Sequence, residues 1–350
     1  MAGKNKVVSL AATGDILLHG RVYGGTKKKS DYKLKEQLQN VNELLVKQDI
    51  TVVNLESIIA GQEIGLSSFP KFNAPVELGY VLKDMGVDIA SIANNHALDR
   101  GEEALKKSIN NLKKIGLEYV GAHNSFEDRD TLRIINKNGL RVCFLSYTKD
   151  TNGIVKALNT KPYLVNSLTH TKLISIIREI RRIKRNEIAD VVVVNMHFGE
   201  EYHLEPSSAQ REISASLADA GADIILGHHP HVLQPPEWIE TSRGTKTFVA
   251  YSLGNFFTGQ NGLHRQIGSV LTLDIRKPSK TYDNIEISNP TYNLTFVERT
   301  KPKKYVIHLF RDWIKNNKHI ETKYGRFSPE DVYKDTVARL RKSISNLNVK

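Results

Sequence analysis

The hydrophobic pattern of the chain alternates between short, continuous apolar runs and longer stretches with one apolar face. The short runs are rich in valine and isoleucine, which is typical of strands that are buried on both faces of a sheet. These runs lie at 6–13, 50–55, 87–93, 140–147, 190–196, 222–227 and 247–253. Most are followed by glycine, asparagine, histidine or an acidic residue, which predicts that each strand ends there.

The stretches between these runs have the apolar spacing of amphipathic helices. They cover 32–48, 100–116, 170–189 and 207–221. The last stretch begins at Ser207 and ends at Gly221, and both residue types favour the ends of helices. Regular alternation of strands and helices predicts an α/β fold in which helices cover the sheets.

The pattern changes after about residue 265. Residues 266–277 and 283–300 predict antiparallel strands that complete the sheet. Beyond them we predict a basic, mainly helical C-terminal appendage, with its clearest helix at 326–344. The sequence therefore predicts a main domain over 1–300 and an appendage over 301–350.

The charge of the chain narrows the choice of partner. Its 350 residues include 50 Lys and Arg against 38 Asp and Glu, which gives a formal net charge of +12. Such a charge favours nucleic acid, anionic lipid or an acidic polymer, although a basic protein without a polyanionic partner is an equal alternative. The sequence has no zinc-finger or aromatic-interleaved RNA motif, so nucleic acid is not the favoured partner. Cys143 is the only cysteine, which excludes an intrachain disulfide.

The sequence leaves two locations open. No apolar run approaches the length that spans a bilayer, and no signal-peptide core precedes the first predicted strand. We therefore expect the cytoplasm, or a membrane-anchored position on the extracellular face if an N-terminal anchor is missing from this sequence.

Chemically active residue types follow six of the predicted strands. They are Asp15, Glu56, Asn94, Asn95, His96, His197, His228, His229, His231 and Asn255. Ligands of open α/β sheets bind outside the carboxyl ends of the strands, so we expect these side chains to converge on one site. Mixed oxygen and nitrogen ligands favour Zn, Mn or Fe, as one ion or as two ions bridged by a carboxylate.

Each of these residues also has a structural interpretation. Asp15 follows Gly14 and could cap a helix or a turn, and Asn94-Asn95 could form a turn. His96 could be a hydrogen-bonded core histidine. The strongest single signal is "GHHPH" at 227–231, with three histidines in five residues. In an extended segment His229 and His231 share one side, and His228 faces the other.

Other enzyme motifs are missing from the sequence. "GDILLHG" lacks the glycine spacing of a dinucleotide-binding loop, and no phosphate-binding P-loop pattern is present. No G-x-S-x-G nucleophile turn occurs either.

Several of these segments together resemble the CapA/PgsA family, which takes its name from poly-γ-glutamate capsule synthesis. The resemblance covers about 6–275 and is most specific from Met196 to Glu237; it also includes "ATGDILLHGRVY", "VVNLES", "SIANNHALDRG" and "YSLGNFF". It implies the four-layer α-β-β-α sandwich of the metallophosphoesterase type. In that fold a two-metal site lies at the strand ends.

The resemblance also implies roles for individual residues. The implied metal ligands are Asp15, Glu56, Asn95, His197, His229 and His231, with His96 as the catalytic histidine. Apart from the resemblance, we expect Glu201, in "HFGEEY", to be a second acid or base. Substrate contact, or orientation of the ligands, is expected of His19, Asn94, Asp99, His228, Tyr251 and Asn255. The sequence departs from the phosphoesterase pattern at Leu17 and Ala97, where a histidine and an acid are usual; His19 and Asp99 lie nearby.

The resemblance implies a role in biosynthesis or handling of poly-γ-glutamate, with the polymer bound at the metal site. The first alternative is a free-standing metal-dependent hydrolase of γ-glutamyl amide bonds or phosphoesters. The second is a non-catalytic subunit of a synthesis or export complex. The expected partners are poly-γ-glutamate or another anionic polymer, together with membrane-bound capsule synthesis proteins.

Overall fold

The computed structural model describes residues 6–28, 31–278, 285–301 and 304–350, which form a mixed α/β fold. The helices are α1 Gly20–Tyr23, α2 Lys35–Val46, α3 Glu77–Asp84, α4 Gly101–Ile115, α5 Phe126–Asp130, α6 Lys156–Thr160, α7 Leu173–Arg185, α8 Ser208–Ala220, α9 Phe310–Ile314 and α10 Pro329–Leu340. The strands are β1 Lys6–Leu17, β2 Lys27–Lys28, β3 Asp31–Tyr32, β4 Ile50–Leu55, β5 Ile89–Ser91, β6 Glu118–Val120, β7 Arg133–Lys137, β8 Leu140–Thr148, β9 Val191–His197, β10 Ile224–His228, β11 Glu237–Glu240, β12 Lys246–Ala250, β13 Asn255–Thr258, β14 Ile267–Lys277, β15 Glu286–Lys301, β16 Lys304–Leu309, β17 Ile320–Thr322, β18 Gly325–Phe327 and β19 Asn348–Val349.

Two large sheets organise the described part of the chain. The first has the order β16-β15-β14-β1-β4-β5-β6, with β13 paired to β1 and β19 paired to β15. The second has the order β11-β12-β10-β9-β8-β7. Strands β1, β4, β5 and β6 run parallel, as do β8, β9, β10 and β12, so their carboxyl ends lie at common edges.

Three hydrophobic clusters join these sheets to each other and to the helices. One contains buried side chains from both sheets, such as Leu10 of β1 and Val193 of β9. A second joins the first sheet to α2, α3 and α4, and a third joins the second sheet to α7 and α8. Full burial of each aliphatic side chain contributes about 1.5–3 kcal/mol, so both sheets are stabilised on both faces.

The strand and helix assignments made from the sequence are confirmed. Each of the seven apolar runs contains a strand, and each of the four amphipathic stretches contains a helix. The Ser207 side chain accepts a hydrogen bond from Gln210 N, and the Gln210 side chain bonds back to Ser207, which forms a capping box. Gly221 ends α8 in the left-handed conformation. Strands β14 and β15 pair antiparallel as predicted, although 283–284 lie outside the described residues.

The prediction of a mainly helical segment after residue 300 is wrong in one respect. Helix α10 is present, but β16 pairs antiparallel with β15, and β19 pairs with β15 as well. Phe310 and Trp313 of α9 pack against Phe296 in the cluster between the sheets. The segment therefore completes the first sheet and its core. The domain boundary itself stays a prediction.

None of the helices in the described residues combines the length and the apolar character that a membrane-spanning segment needs.

Candidate metal centre

The carboxyl ends of strands from both sheets meet at one place. In the first sheet Asp15 of β1 pairs with Asn54 of β4 on one side and with Asn255 of β13 on the other. In the second sheet His197 of β9 pairs with His228 of β10. This register, rather than any local motif, brings residues that are distant in the sequence into contact.

Asp15 is fully buried, and four nitrogen atoms lie within hydrogen-bond distance of its carboxylate oxygens. Its Oδ1 lies 2.9 Å from Asn54 Nδ2 and 3.1 Å from His228 Nδ1. Its Oδ2 lies 3.0 Å from His231 Nδ1 and 3.3 Å from His229 N. Burial alone would raise the pKa of this carboxyl, but His228 and His231 hold it well below its usual value. Asp15 is therefore an ionised carboxylate at neutral pH.

Glu56 follows β4 and is also fully buried, yet neither of its carboxylate oxygens has a hydrogen-bond partner among the described residues. Its Oε1 lies 3.4 Å from His197 Nε2 and 3.7 Å from His231 Nε2. Burial opposes ionisation, but the charges of His231 and His197 lower the pKa of Glu56 below its usual value. A buried, ionised carboxylate without hydrogen bonds is costly unless a cation binds it.

His197 and Asn95 approach the same point from different sheets. Nε2 of His197 lies 2.9 Å from Asn95 Oδ1, and Nδ1 lies 3.5 Å from Asn54 Nδ2. Asn95 also donates from Nδ2 to Asn152 Oδ1 at 3.2 Å. These contacts fix the amide oxygen of Asn95 toward the cluster, which is the orientation that a metal ligand requires.

The histidines after β10 lie in a tight turn. His229 and His231 both have left-handed backbones, with φ of 97° and 58°. Their rings lie 6.0 Å apart, and the His229 ring is 4.9 Å from that of His197. The prediction that His228 points away from the site is wrong. His228 is the last residue of β10 and forms a hydrogen bond with Asp15. The turn that follows does not keep the alternating side-chain directions of an extended strand.

The pKa values of the two turn histidines are shifted in opposite directions. Burial and the neighbouring histidines lower the pKa of His229 to about 3, so its ring is neutral. Burial would likewise lower the pKa of His231, but Glu56 and Asp15 raise it to about 9. Neutral imidazole is the form that binds metals, and His229 already has it.

The residues of the cluster fit a metal ion. Two groups of ligand atoms lie within 4.8 Å of one another: Glu56 with His229 and His231, and Asp15 with Glu56 and His197. Among the described residues, His229 Nδ1, His231 Nε2 and both Glu56 oxygens are buried without hydrogen-bond partners. Glu56 belongs to both groups, so the arrangement suits either one ion or two ions that share its carboxylate.

His96 lies beside this cluster rather than in it. Its Nδ1 is 2.8 Å from Asp99 Oδ2, which also accepts a hydrogen bond from Phe72 N at 2.7 Å. Asn94 has a structural role in the same turn, because it donates to Leu55 O at 3.0 Å and accepts from His96 N at 3.0 Å. Asp99 thus fixes the orientation of the His96 ring.

A cavity of about 250 Å³ opens onto the cluster. Its wall includes His19, His96, Glu201 and His231. Burial lowers the pKa of His19 to about 4, and its ring packs edge-on against Phe72 at 5.1 Å. Glu201 is exposed, and its Oε1 lies 4.0 Å from His231 Nε2. A substrate in this cavity would contact both residues with a candidate proton-transfer role.

The structure brings Asn255 to the cluster but not Tyr251. Oδ1 of Asn255 lies 3.1 Å from His231 Nδ1, and its Nδ2 donates to His231 O at 3.2 Å. Tyr251 instead packs in the cluster that joins the second sheet to α7 and α8, and its hydroxyl donates to Glu237 Oε2 at 3.0 Å.

Three contact residues were missed at the sequence level. Asn54 donates to Asp15, Asn152 contacts both Asn95 and His96, and Phe72 packs between His19 and His96. Asn54 had a usable signal, because a polar residue inside the buried run "ITVVNL" needs a hydrogen-bond partner. Asn152 and Phe72 lie in loops whose position follows only from the tertiary structure.

Comparison with known proteins adds family information to this geometry. Residues 9–260 match the model of a family described as bacterial capsule synthesis protein PGA_cap. The chain is 31% identical over 274 residues to the PGA biosynthesis protein CapA of Bacillus subtilis (strain 168), an alignment that covers 77% of this chain and 68% of the relative.

Two further relatives share shorter segments. The capsule biosynthesis protein CapA of Bacillus anthracis is 34% identical over 204 residues, or 58% of this chain and 48% of the relative. A probable polyglutamine synthesis accessory protein of Mycobacterium tuberculosis (strain CDC 1551 / Oshkosh) is 25% identical over 194 residues, or 53% and 49%. The chain thus spans only about half the length of these two relatives.

Proposed function

The chain belongs to the bacterial capsule synthesis protein PGA_cap family, and from this premise we propose that it binds poly-γ-glutamate, or a closely related anionic γ-glutamyl polymer, at the metal centre. The observation that carries the proposal is that both oxygens of the buried Glu56 lack hydrogen-bond partners among the described residues, while Oε1 faces His231 and His197. Such a carboxylate needs a cation, and a bound cation supplies a partner for the carbonyl or carboxylate oxygens of the polymer.

The donor set defines the cofactor of the proposal. The ligands would be Asp15, Glu56, Asn95, His197, His229 and His231. Carboxylate, amide and imidazole donors together favour Zn, Mn or Fe. When bound, such an ion would polarise a carbonyl or lower the pKa of a water molecule. The clusters that join helices to both sheets support the related proposal of a four-layer metallophosphoesterase-type sandwich.

Two side chains of the cavity would act on the substrate directly. Asp99 holds His96 by Nδ1, which would leave the other ring nitrogen to exchange a proton with a bound group. Glu201 lies beside His231 at the cavity wall and is exposed, so it can reach a substrate. Asn255 and Asp15 hold His231 in place and need no contact with the polymer themselves.

The alternative function is a metal-dependent hydrolase of γ-glutamyl amide bonds or phosphoesters. The observation that favours it is that His96 lies on the wall of the cavity and is oriented by the buried Asp99, since an oriented histidine is the usual general acid or base. If the protein binds the polymer without cutting it, as in the first proposed function, we expect it to act with membrane-bound synthesis or export proteins.

Metal analysis combined with polymer assays tests the proposal. Wild type, His229→Ala and the control His203→Ala, an exposed histidine of the same region, are purified without chelator and reloaded with Mn or Zn. We expect stoichiometric metal in wild type and control, a loss in His229→Ala, and salt-sensitive binding of poly-γ-glutamate by wild type.

The outcomes separate the functions. Binding without shortening of the polymer supports a role in synthesis or handling, whereas shortening by wild type but not by His229→Ala supports the hydrolase. Absence of metal from reloaded wild type would overturn the metal centre, and absence of polymer binding would overturn the proposed substrate.

A further inference from the structure

Three cationic side chains line the cavity beside the metal centre. They are Arg21, which follows β1, Arg265, which precedes β14, and Lys323, in the turn between β17 and β18. We refer to these three residues as the cationic rim. Arg265 and Lys323 lie beyond the family match, which ends at residue 260. Two of the three rim residues therefore lie outside the family match, which includes only Arg21.

Among the described residues, no ion pair neutralises the charges of the cationic rim. In the described ranges, no carboxylate oxygen lies within ion-pair distance of Arg21, Arg265 or Lys323. Many other surface cations do have such partners, as Arg326 does with Glu321 in the same hairpin. Unpaired cations that converge on one cavity create a local positive potential that attracts anions.

Aromatic rings hold two of the rim cations in place. The Arg265 guanidinium lies 4.5 Å from the centre of the Tyr202 ring, and Lys323 Nζ lies 4.7 Å from that of Tyr324. Arg265 also folds back over its own loop, since a Cβ at Gly262 would lie 2.7 Å from its Nη2. Cations restrained in this way lose less conformational entropy when they bind a ligand.

The hairpin that carries Lys323 is fixed to the body of the protein. Ile320 of β17 is buried in the cluster between the sheets, together with Trp313, and Phe327 packs against the same cluster. β17 and β18 pair in register from Ile320–Phe327 to Thr322–Gly325. The turn of Lys323 and Tyr324 is thus held over the cavity by buried side chains.

We propose that the cationic rim is a carboxylate-binding subsite, in which Lys323, Arg265 and Arg21 bind the free carboxylates of γ-glutamyl residues beside the residue at the metal centre. The inference rests on the proposed function and adds to it the groups that select the substrate. A γ-glutamyl chain carries one free carboxylate per residue, so a polymer that crosses the cavity presents several anions in sequence. The rings of Tyr202 and Tyr324 would keep Arg265 and Lys323 in place to meet these carboxylates.

Charge-neutral variants test the rim. Lys323→Gln, Arg265→Gln and the double variant are compared with Lys318→Gln, which removes the same charge from an exposed position that does not line the cavity. Binding of labelled poly-γ-glutamate of defined length is measured on metal-loaded protein. We expect affinity to fall about two- to fivefold for each rim substitution at low salt, and by roughly the product for the double variant.

Salt and metal content distinguish a binding role from a structural one. In 1 M salt, where the screening length is about 3 Å, the difference between rim variants and wild type should disappear. Bound metal and melting temperature should match wild type in all four variants. If the rim variants bind the polymer as Lys318→Gln does while wild type binds it, the rim proposal is overturned and the proposed function stands. If wild type binds no polymer, both are overturned.

Discussion

His229 and His231 stand two residues apart in one turn but make different contacts. Nδ1 of His231 forms a hydrogen bond with Asp15, and its Nε2 points toward Glu56. Nδ1 of His229, in contrast, has no hydrogen-bond partner among the described residues. We predict that His229→Ala lowers metal affinity by more than about 10- to 100-fold, which is the loss expected when a residue that only orients a metal ligand is removed. The stability of the metal-free protein should change little.

His231→Ala should lower both quantities. It removes a hydrogen bond and a compensating charge from two buried carboxylates, and loss of one partner from a buried ion pair costs about 3–5 kcal/mol. Urea unfolding of the metal-free variants, with metal titration of the same samples, measures both effects. If both substitutions destabilised the metal-free protein equally, the prediction that only His231 stabilises the buried carboxylates would be contradicted.

The sequence was sufficient to predict residues that directly end or follow a buried strand. Glu56 and His197 are examples, because a continuous apolar run marks the strand and parallel strands end at a common edge. The sequence was not sufficient for Tyr251, because the apolar run at 247–253 does not show on which face of the sheet a side chain just after the strand will pack. The roles of all site residues stay predictions.

At the scale of elements, the site depends on a close approach between β1 and the segment before β13. Asp15 N donates to Gly254 O at 2.8 Å, and a Cβ at Gly14 would lie 2.2 Å from that same oxygen. Backbone cannot yield as a flexible side chain can. Gly14→Ala would therefore force the two strands apart beside Asp15.

We predict that Gly14→Ala costs at least about 1–3 kcal/mol of unfolding free energy and lowers metal affinity as well. Gly20→Ala is the matched control, because its Cβ would come no closer than 3.4 Å to Ser68 Cβ. Thermal unfolding and metal titration of both variants test the prediction. A Gly14→Ala protein that melts and binds metal as Gly20→Ala does would show that the strand approach is not needed.

The elements after residue 300 show the limit of local patterns. Helix α10 has its own signals, with Ser328 as the N-cap and Pro329 in the first turn, and it was predicted. β16 and β19 are short, and they become strands by pairing with β15. The partner of β19 is the distant segment Thr291–Tyr292, and the partner of β16 is the preceding strand β15; periodicity within a short window identifies neither pairing.

At the scale of the whole molecule, the last fifty residues belong to the same core as the strands that carry the site. The Phe310 and Trp313 rings lie 5.3 Å and 4.4 Å from that of Phe296, and the cluster that holds them also contains Leu10 of β1. Asn40 of α2 donates to Ile307 O at 3.2 Å, so β16 is tied to a helix of the first sheet as well. A break at residue 300 would pass through this core.

We predict that a chain ending at residue 300 does not fold. Loss of one buried Phe or Trp side chain costs about 3–5 kcal/mol, and removal of both would take most of the about 5–15 kcal/mol that stabilises a typical domain. Circular dichroism and metal titration of the truncated chain test this, beside Phe310→Ala in the full chain, which should stay folded with a lower melting temperature. Cooperative unfolding and stoichiometric metal in the truncated chain would instead support an independent domain over 1–300, with the rest as a dispensable appendage.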